Sequence, residues 1–246
     1  MCFRCGPLKI ATLLTLLASA LVIDGCSTPS GNGSIAGTTA QTREKQAAIN
    51  PSQALALLEA GNERFVSGQM LHRDFPRQVK DTSGGQYPFA AVVTCLDSRT
   101  TPEFMFDQGV GDIFSARVAG NIINEDILGS LEFATKVSGA KLIAVIGHTN
   151  CGAIKGACDD VQLGHLTSLL ARIQPAVNAV QTAPGEARSS KNRAFVEKVA
   201  EMHVRLTMKT LREQDPILND MIERGQIGLV GGMYDLETGK VTFFKD

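Results

Sequence analysis

A chain of 246 residues, 43% hydrophobic and 20% charged, carries enough apolar material for one globular domain with extensions. Its net charge of −1 and its lack of a basic stripe interleaved with aromatics exclude the electrostatic footprint of a nucleic-acid partner. A small-molecule partner is expected instead.

In chain order, residues 1–25 read as an export signal. Arg4 and Lys9 supply a positive start, and Ile10 to Ile23 is apolar apart from small residues and threonine. That run, about 14 residues, falls short of the about 20 needed to span a bilayer. Ile23-Asp24-Gly25-Cys26 is similar to the cleavage site of bacterial lipoproteins, although Asp24 departs from the usual small or apolar residue. The resemblance implies a mature chain starting at a lipidated Cys26 and tethered on the periplasmic side of a membrane. Ordinary cleavage would give a soluble periplasmic protein. Cys2 and Cys5 leave with the leader. Besides Cys26, the remaining cysteines are Cys95, Cys151 and Cys158, an odd set that cannot complete a disulfide framework. In an oxidising compartment, a metal is the expected protection.

Residues 26–49 are rich in Ser, Thr, Gly, Ala and Gln and read as a flexible tether, so the folded domain is expected over 50–246. Asn50-Pro51-Ser52 predicts a helix start; Leu55, Leu58 and Phe65 follow at helical spacing, with Gly61 a weak point and Gly68 a stop. Pro88 to Thr94 is a continuous apolar run, predicting a buried parallel strand that ends at Cys95. Asp112–Val118 is a second strand, and Lys141–Gly147 the clearest of all. Between these two, Ile127, Leu128, Leu131 and Ala134 mark a helix over Asn124–Lys136, which makes a crossover in a parallel sheet. Two helices are predicted at Leu163–Val180 and Asn192–Gln214. A strand at Ile227–Tyr234, a turn at Glu237-Thr238-Gly239 and a strand at Val241–Phe244 form a hairpin on the sheet edge. The fold class is α/β. Gly109-x-Gly111 lacks a third glycine, so no dinucleotide site is expected.

The chemistry gathers at two strand ends. Cys95 opens Cys95-Leu96-Asp97-Ser98-Arg99, and His148 and Cys151 lie in Gly147-His148-Thr149-Asn150-Cys151-Gly152. Adjacent parallel strands place their carboxyl ends on one edge, where open α/β sheets bind ligands. Two thiolates and an imidazole suit zinc; three protein ligands with a fourth position left for water is the catalytic arrangement. Cys158 reads as a packing residue, and His72, His165 and His203 as surface or ordinary hydrogen-bonding residues. Asp159-Asp160 reads as a solvated turn, and Asp107 and Asp112 as loop caps.

These two motifs resemble the signatures of the β-class carbonic anhydrases. The likeness continues through F-D-Q-G-V-G-D-I-F (106–114), V-A-G-N (118–121), L-G-S-L-E-F-A (128–134) and G-G-M-Y-D (231–235). It implies about four parallel strands plus an antiparallel edge strand, flanked by helices, and homodimers or larger homo-oligomers. It also implies one Zn2+ per subunit on Cys95, His148 and Cys151, interconverting carbon dioxide with bicarbonate and a proton through zinc-bound hydroxide. Asp97 would orient the hydroxide, with Arg99 holding Asp97 ionised and off the metal. Gln86, Phe114, Phe133 and Gly152 match substrate-pocket positions, Phe133 standing where plant-type members carry a tyrosine. The regulatory bicarbonate pocket of some bacterial members uses a tryptophan, which this chain lacks. Two other readings share the metal: hydrolysis of carbonyl sulfide or carbon disulfide, and a non-catalytic zinc staple. The staple would need neither Asp97 nor Arg99.

Overall fold

The computed structural model describes residues 39–244; the leader, Cys26 and the first part of the tether lie outside the described residues. The strands form where the apolar runs fall. β1 (Ala90–Thr94) and β3 (Leu142–His148) are buried at every position, as strands covered on both faces must be. β2 (Ile113–Arg117) is only partly buried and lies at one edge. β4 (Gly228–Tyr234) and β5 (Val241–Phe244) complete a sheet of order β2-β1-β3-β4-β5, parallel except for the antiparallel β4–β5 hairpin. The expected α/β sheet with an antiparallel edge is therefore present.

Alternate residues of each inner strand face opposite layers. Ala90, Val92, Leu142, Ala144 and Ile146 pack with Leu58, Met105 and Phe106 on one side. Ala91, Val93, Ile143 and Val145 pack with Val204, Met208 and Leu211 on the other. Each fully buried large side chain contributes about 1.5–3 kcal/mol of transfer free energy. A third cluster brings Cys95 and Cys151 together with Ile154, Ile173 and Val199.

Helix α2 (Pro51–Val66) starts as its sequence dictates: Asn50 accepts from the Gln53 amide, and Gln53 reciprocates in a capping box. Gly61 is not a weak point. It is buried where a Cβ would stand 1.8 Å from the Phe106 carbonyl oxygen, so glycine lets α2 approach that backbone. The last part of the segment expected as tether is folded. Residues 43–48 form α1 (Arg43–Ala48), and its buried Gln46 donates to Pro88 O and Ser138 O, both at 2.7 Å. The next helices are α3 (Phe75–Thr82), α4 (Pro102–Met105) and α5 (Glu125–Glu132), which widens into a π turn over Phe133–Val137. Helix α6 (Gly152–Cys158) follows. The long helix expected over 163–180 is instead two, α7 (Gly164–Ala171) and α8 (Gln174–Ala179), with Pro175 in the first turn of α8. Helix α9 (Arg193–Gln214) lies against β3 and β4, and α10 (Pro216–Glu223) packs on α9. Among the described residues, no helix is long and apolar enough to cross a membrane.

Asp112 accepts from the Gly109 amide at 2.6 Å, as a loop cap should, but Asp107 is no cap. It is fully buried in a left-handed conformation, paired with Arg64 and Arg73, and it also accepts from the Leu71 amide. Removing the carboxylate from such a cluster leaves the nearly buried Arg73 without its counter-charge. Asp107→Ala should therefore cost about 3–5 kcal/mol in chemical denaturation. An unchanged midpoint and slope would show that the cluster contributes nothing.

Candidate metal centre

Register places the centre. Thr94 of β1 pairs with Ile146 of β3, so Cys95, the next residue, lies level with the end of β3, where His148 is the last residue. Cys151 caps the start of α6, three residues further on. The ligand atoms of Cys95, His148 and Cys151 all lie within 4.8 Å of one another, and among the described residues this is the one such group. The two sulfurs are 4.0 Å apart, and all three side chains are buried.

The imidazole is already set for a metal. His148 Nδ1 lies 2.9 Å from Thr149 O; a carbonyl only accepts, so the proton is on Nδ1. Nε2 is left with its lone pair, buried and without a hydrogen-bond partner. Orphaned buried polar atoms are costly, and this one faces two sulfurs. That donor set fits zinc.

The sulfurs are unequal. Cys95 is pulled far below the usual thiol range because the Cys151 thiol donates to it, helped by the amides of Asp97 and Gly120, against the effect of burial. Gly120 N–H lies 3.3 Å from its sulfur. Cys151 is driven the other way by its charged neighbour and by burial, although the Ile154 and Ala153 amides at the start of α6 oppose this. Two thiolates at this separation require a cation between them, and a divalent metal supplies it.

Asp97 and Arg99 meet side-on. Arg99 Nε donates to Oδ1 at 2.9 Å and Nη2 to Oδ2 at 2.8 Å; the Arg99 amide also donates to Oδ1 at 3.0 Å. Arg99 holds the Asp97 carboxyl well below the usual carboxylate range. Both carboxylate oxygens of Asp97 are thereby engaged by charge-assisted bonds.

Residues that sequence reasoning missed shape the loop between them. Arg117, at the end of β2, donates to Cys95 O at 3.2 Å, Leu96 O at 3.1 Å and Asp97 O at 2.6 Å. Thr100 Oγ1 lies 3.0 Å from Cys95 O and 3.0 Å from Asp97 O. No local motif marks either residue, because both act through backbone carbonyls.

The remaining expected positions divide. Gly152, directly after Cys151, is exposed, with open space where a Cβ would stand. Gln86 precedes β1 and is exposed, so it lies toward the opposite sheet edge from Cys95. Phe114 and Phe133 meet edge-to-face, with centroids 6.3 Å apart, in a groove of 670 Å³ along β2 and α5; none of the three metal ligands lines it. Within one chain, therefore, Gln86, Phe114 and Phe133 are not brought to the centre. Cys158 is half-buried at the end of α6, outside the metal cluster, and burial pushes its thiol up to about 11. His72 and His165 are exposed.

The carbonic anhydrase family model matches residues 90–241, more than half of the chain and all of the metal centre. The chain belongs to the carbonic anhydrase family. It is 35% identical over 200 residues to carbonic anhydrase 2 of Mycobacterium tuberculosis, covering 78% of this chain and 91% of that protein. It is also 35% identical to the carbonic anhydrase of Mycolicibacterium smegmatis, covering 78% and 92%. Among solved structures, a tetrameric β-carbonic anhydrase of Sordaria macrospora has the same fold at TM-score 0.60 and 21% identity, over 70% of this chain and 87% of that one. The β-carbonic anhydrase CafA of Aspergillus fumigatus matches at TM-score 0.58 and 24% identity, over 79% and 90%. Family membership and the Cys–His–Cys centre together make this a zinc-dependent carbonic anhydrase with the β-class fold.

Proposed function

We propose that the chain's residues divide the hydration of carbon dioxide as follows, on the strength of one observation: the unpartnered His148 Nε2 faces two thiols beside a carboxylate already clamped by arginine. Zinc bound there acts as a Lewis acid that lowers the pKa of water, supplying a nucleophile near neutral pH. Asp97, anionic throughout the working range, accepts a hydrogen bond from the attacking water and aims its lone pair at the substrate carbon. Arg99 keeps that carboxylate oriented and away from the ligand set. The Gly152 N–H, at the first position of α6, donates to a substrate oxygen. Two thiolates cancel the formal charge of a divalent metal and weaken it as a Lewis acid. The amides aimed at Cys95 and Cys151 withdraw charge from both sulfurs and offset this. Water adds to carbon dioxide, and bicarbonate and a proton leave.

The same reading includes a homodimer or larger homo-oligomer. It is supported by the unpaired edge of β2 and by the groove beside it, where Phe133 is 49% exposed. It also includes export and a lipid anchor at Cys26 on the periplasmic side, supported by the apolar run and the cleavage-like Ile23–Cys26 segment. The mass of the mature N-terminal peptide tests the anchor: an unmodified Cys26, or an intact leader, would refute it.

Arg99→Ala should lower kcat/KM for carbon dioxide hydration by about 10²- to 10⁴-fold while zinc content stays at that of the unmodified protein. The sign of the pH dependence follows from the depressed carboxyl. Without Arg99 the Asp97 carboxyl returns toward the ordinary carboxylate range, still well below pH 6.5, so the defect should be constant from pH 6.5 to 9. Stopped-flow rates with metal analysis check this, and loss of zinc in the variant would contradict the assigned role. If the unmodified protein turned over only carbonyl sulfide or carbon disulfide, the substrate assignment would fall.

A further inference from the structure

His203 is buried in the middle of α9, at 5% exposure, far from the ligands in sequence and outside the metal cluster. Its Nε2 lies 2.9 Å from Gly120 O, and a carbonyl only accepts, so Nε2 carries the proton. Burial keeps the ring neutral, lowering its pKa to about 4. Gly120 in turn points its own N–H at the Cys95 sulfur, 3.3 Å away. One residue therefore receives a hydrogen bond from α9 and gives one to a metal ligand.

The turn that carries it has an unfavourable backbone. Gly120 has φ 67° and Asn121 has φ 44°, two left-handed residues in succession. A Cβ at position 120 would stand 2.7 Å from Ile173 Cδ1 and 3.1 Å from Ala153 Cβ, so glycine suits both the left-handed backbone and the close packing against Ile173 and α6. The Asn121 amide donates back to Val118 O at 2.9 Å, but the Asn121 side-chain nitrogen is buried without a partner. Such backbone persists where its surroundings over-determine it. Here the fixed points are the glycine slot, the Val118–Thr94 and Asn121–Val118 backbone bonds, and the bond from His203, which alone reaches the Gly120 carbonyl from α9.

We propose that His203 is a positioning residue for the metal ligand Cys95: its bond to Gly120 O holds the 120–121 turn so that the Gly120 N–H reaches the sulfur and limits the charge that sulfur gives the metal. The inference rests on the zinc reading above and assigns a role that the ligands alone do not reveal. Losing an outer partner of this kind typically costs 10- to 100-fold in metal affinity or activity.

The test uses the full-length protein loaded with cobalt(II), whose thiolate-to-metal charge-transfer band reports on the sulfurs directly. In His203→Leu the band should move to lower energy, because a sulfur without its N–H donor is richer in electrons. With zinc restored, kcat/KM should fall about 10- to 100-fold at full metal content. His203→Gln, whose amide nitrogen can occupy the place of Nε2, should return both band and rate toward those of the unmodified protein. If His203→Leu does not fold, His203→Asn replaces it, since its amide is one methylene too short to reach Gly120 O. A folded Leu or Asn variant with an unshifted band would overturn the proposal, as would a Gln variant that behaves like Leu. The band is read whether or not carbon dioxide is turned over, so an inactive unmodified protein would sink the functional reading and leave this test standing.

Discussion

Two sulfurs buried 4.0 Å apart, beside an imidazole nitrogen with no hydrogen-bond partner, form an arrangement that costs free energy until a cation shares it. Much of the molecule serves to hold that arrangement. Parallel pairing sets the ends of β1 and β3 level, which is why ligands far apart in sequence converge. Burial of both strands on both faces leaves no room for the register to slip, since a shift of one residue would turn every apolar side chain to the wrong layer. The third apolar cluster then surrounds the sulfurs and keeps the local dielectric low.

Low dielectric also decides how the charge around the metal is arranged. N–H groups of Asp97 and Gly120 aim at Cys95, and those of Ala153 and Ile154 aim at Cys151, so backbone dipoles already oppose the negative charge the thiolates must carry. The one carboxylate of the signature motif is held on both oxygens by a two-pronged arginine. Arg117 and Thr100 hold the carbonyls of that loop from behind. A centre built from two short motifs thus depends on side chains from β2 and α9 that belong to neither motif.

That division explains what could be read from the sequence. β1 and β3 were legible as unbroken apolar runs, and the ligands were legible because each run ends on one. Asn50-Pro51 announced α2 through its own capping chemistry. By contrast, α3 buries only Gln78, and the buried side chain of α1 is Gln46, so neither helix has an apolar stripe to find. α10 spans two turns, with Leu218 and Met221 as its only buried residues, too short for periodicity to stand out. Asp107 looked like a surface cap because charge usually means exposure; its partners lie 43 and 34 positions away. His203 and Arg117 act on backbone atoms 83 and up to 22 positions distant, and only the folded chain brings them there.

The central claim is that this chain grips one zinc with two sulfurs and one ring nitrogen and leaves the fourth place to a non-protein oxygen. X-ray absorption of the purified zinc protein measures this directly. The account predicts two sulfur neighbours at about 2.3 Å and two lighter neighbours at about 2.0–2.2 Å. Three or four sulfur neighbours, or a shell without sulfur, would contradict it.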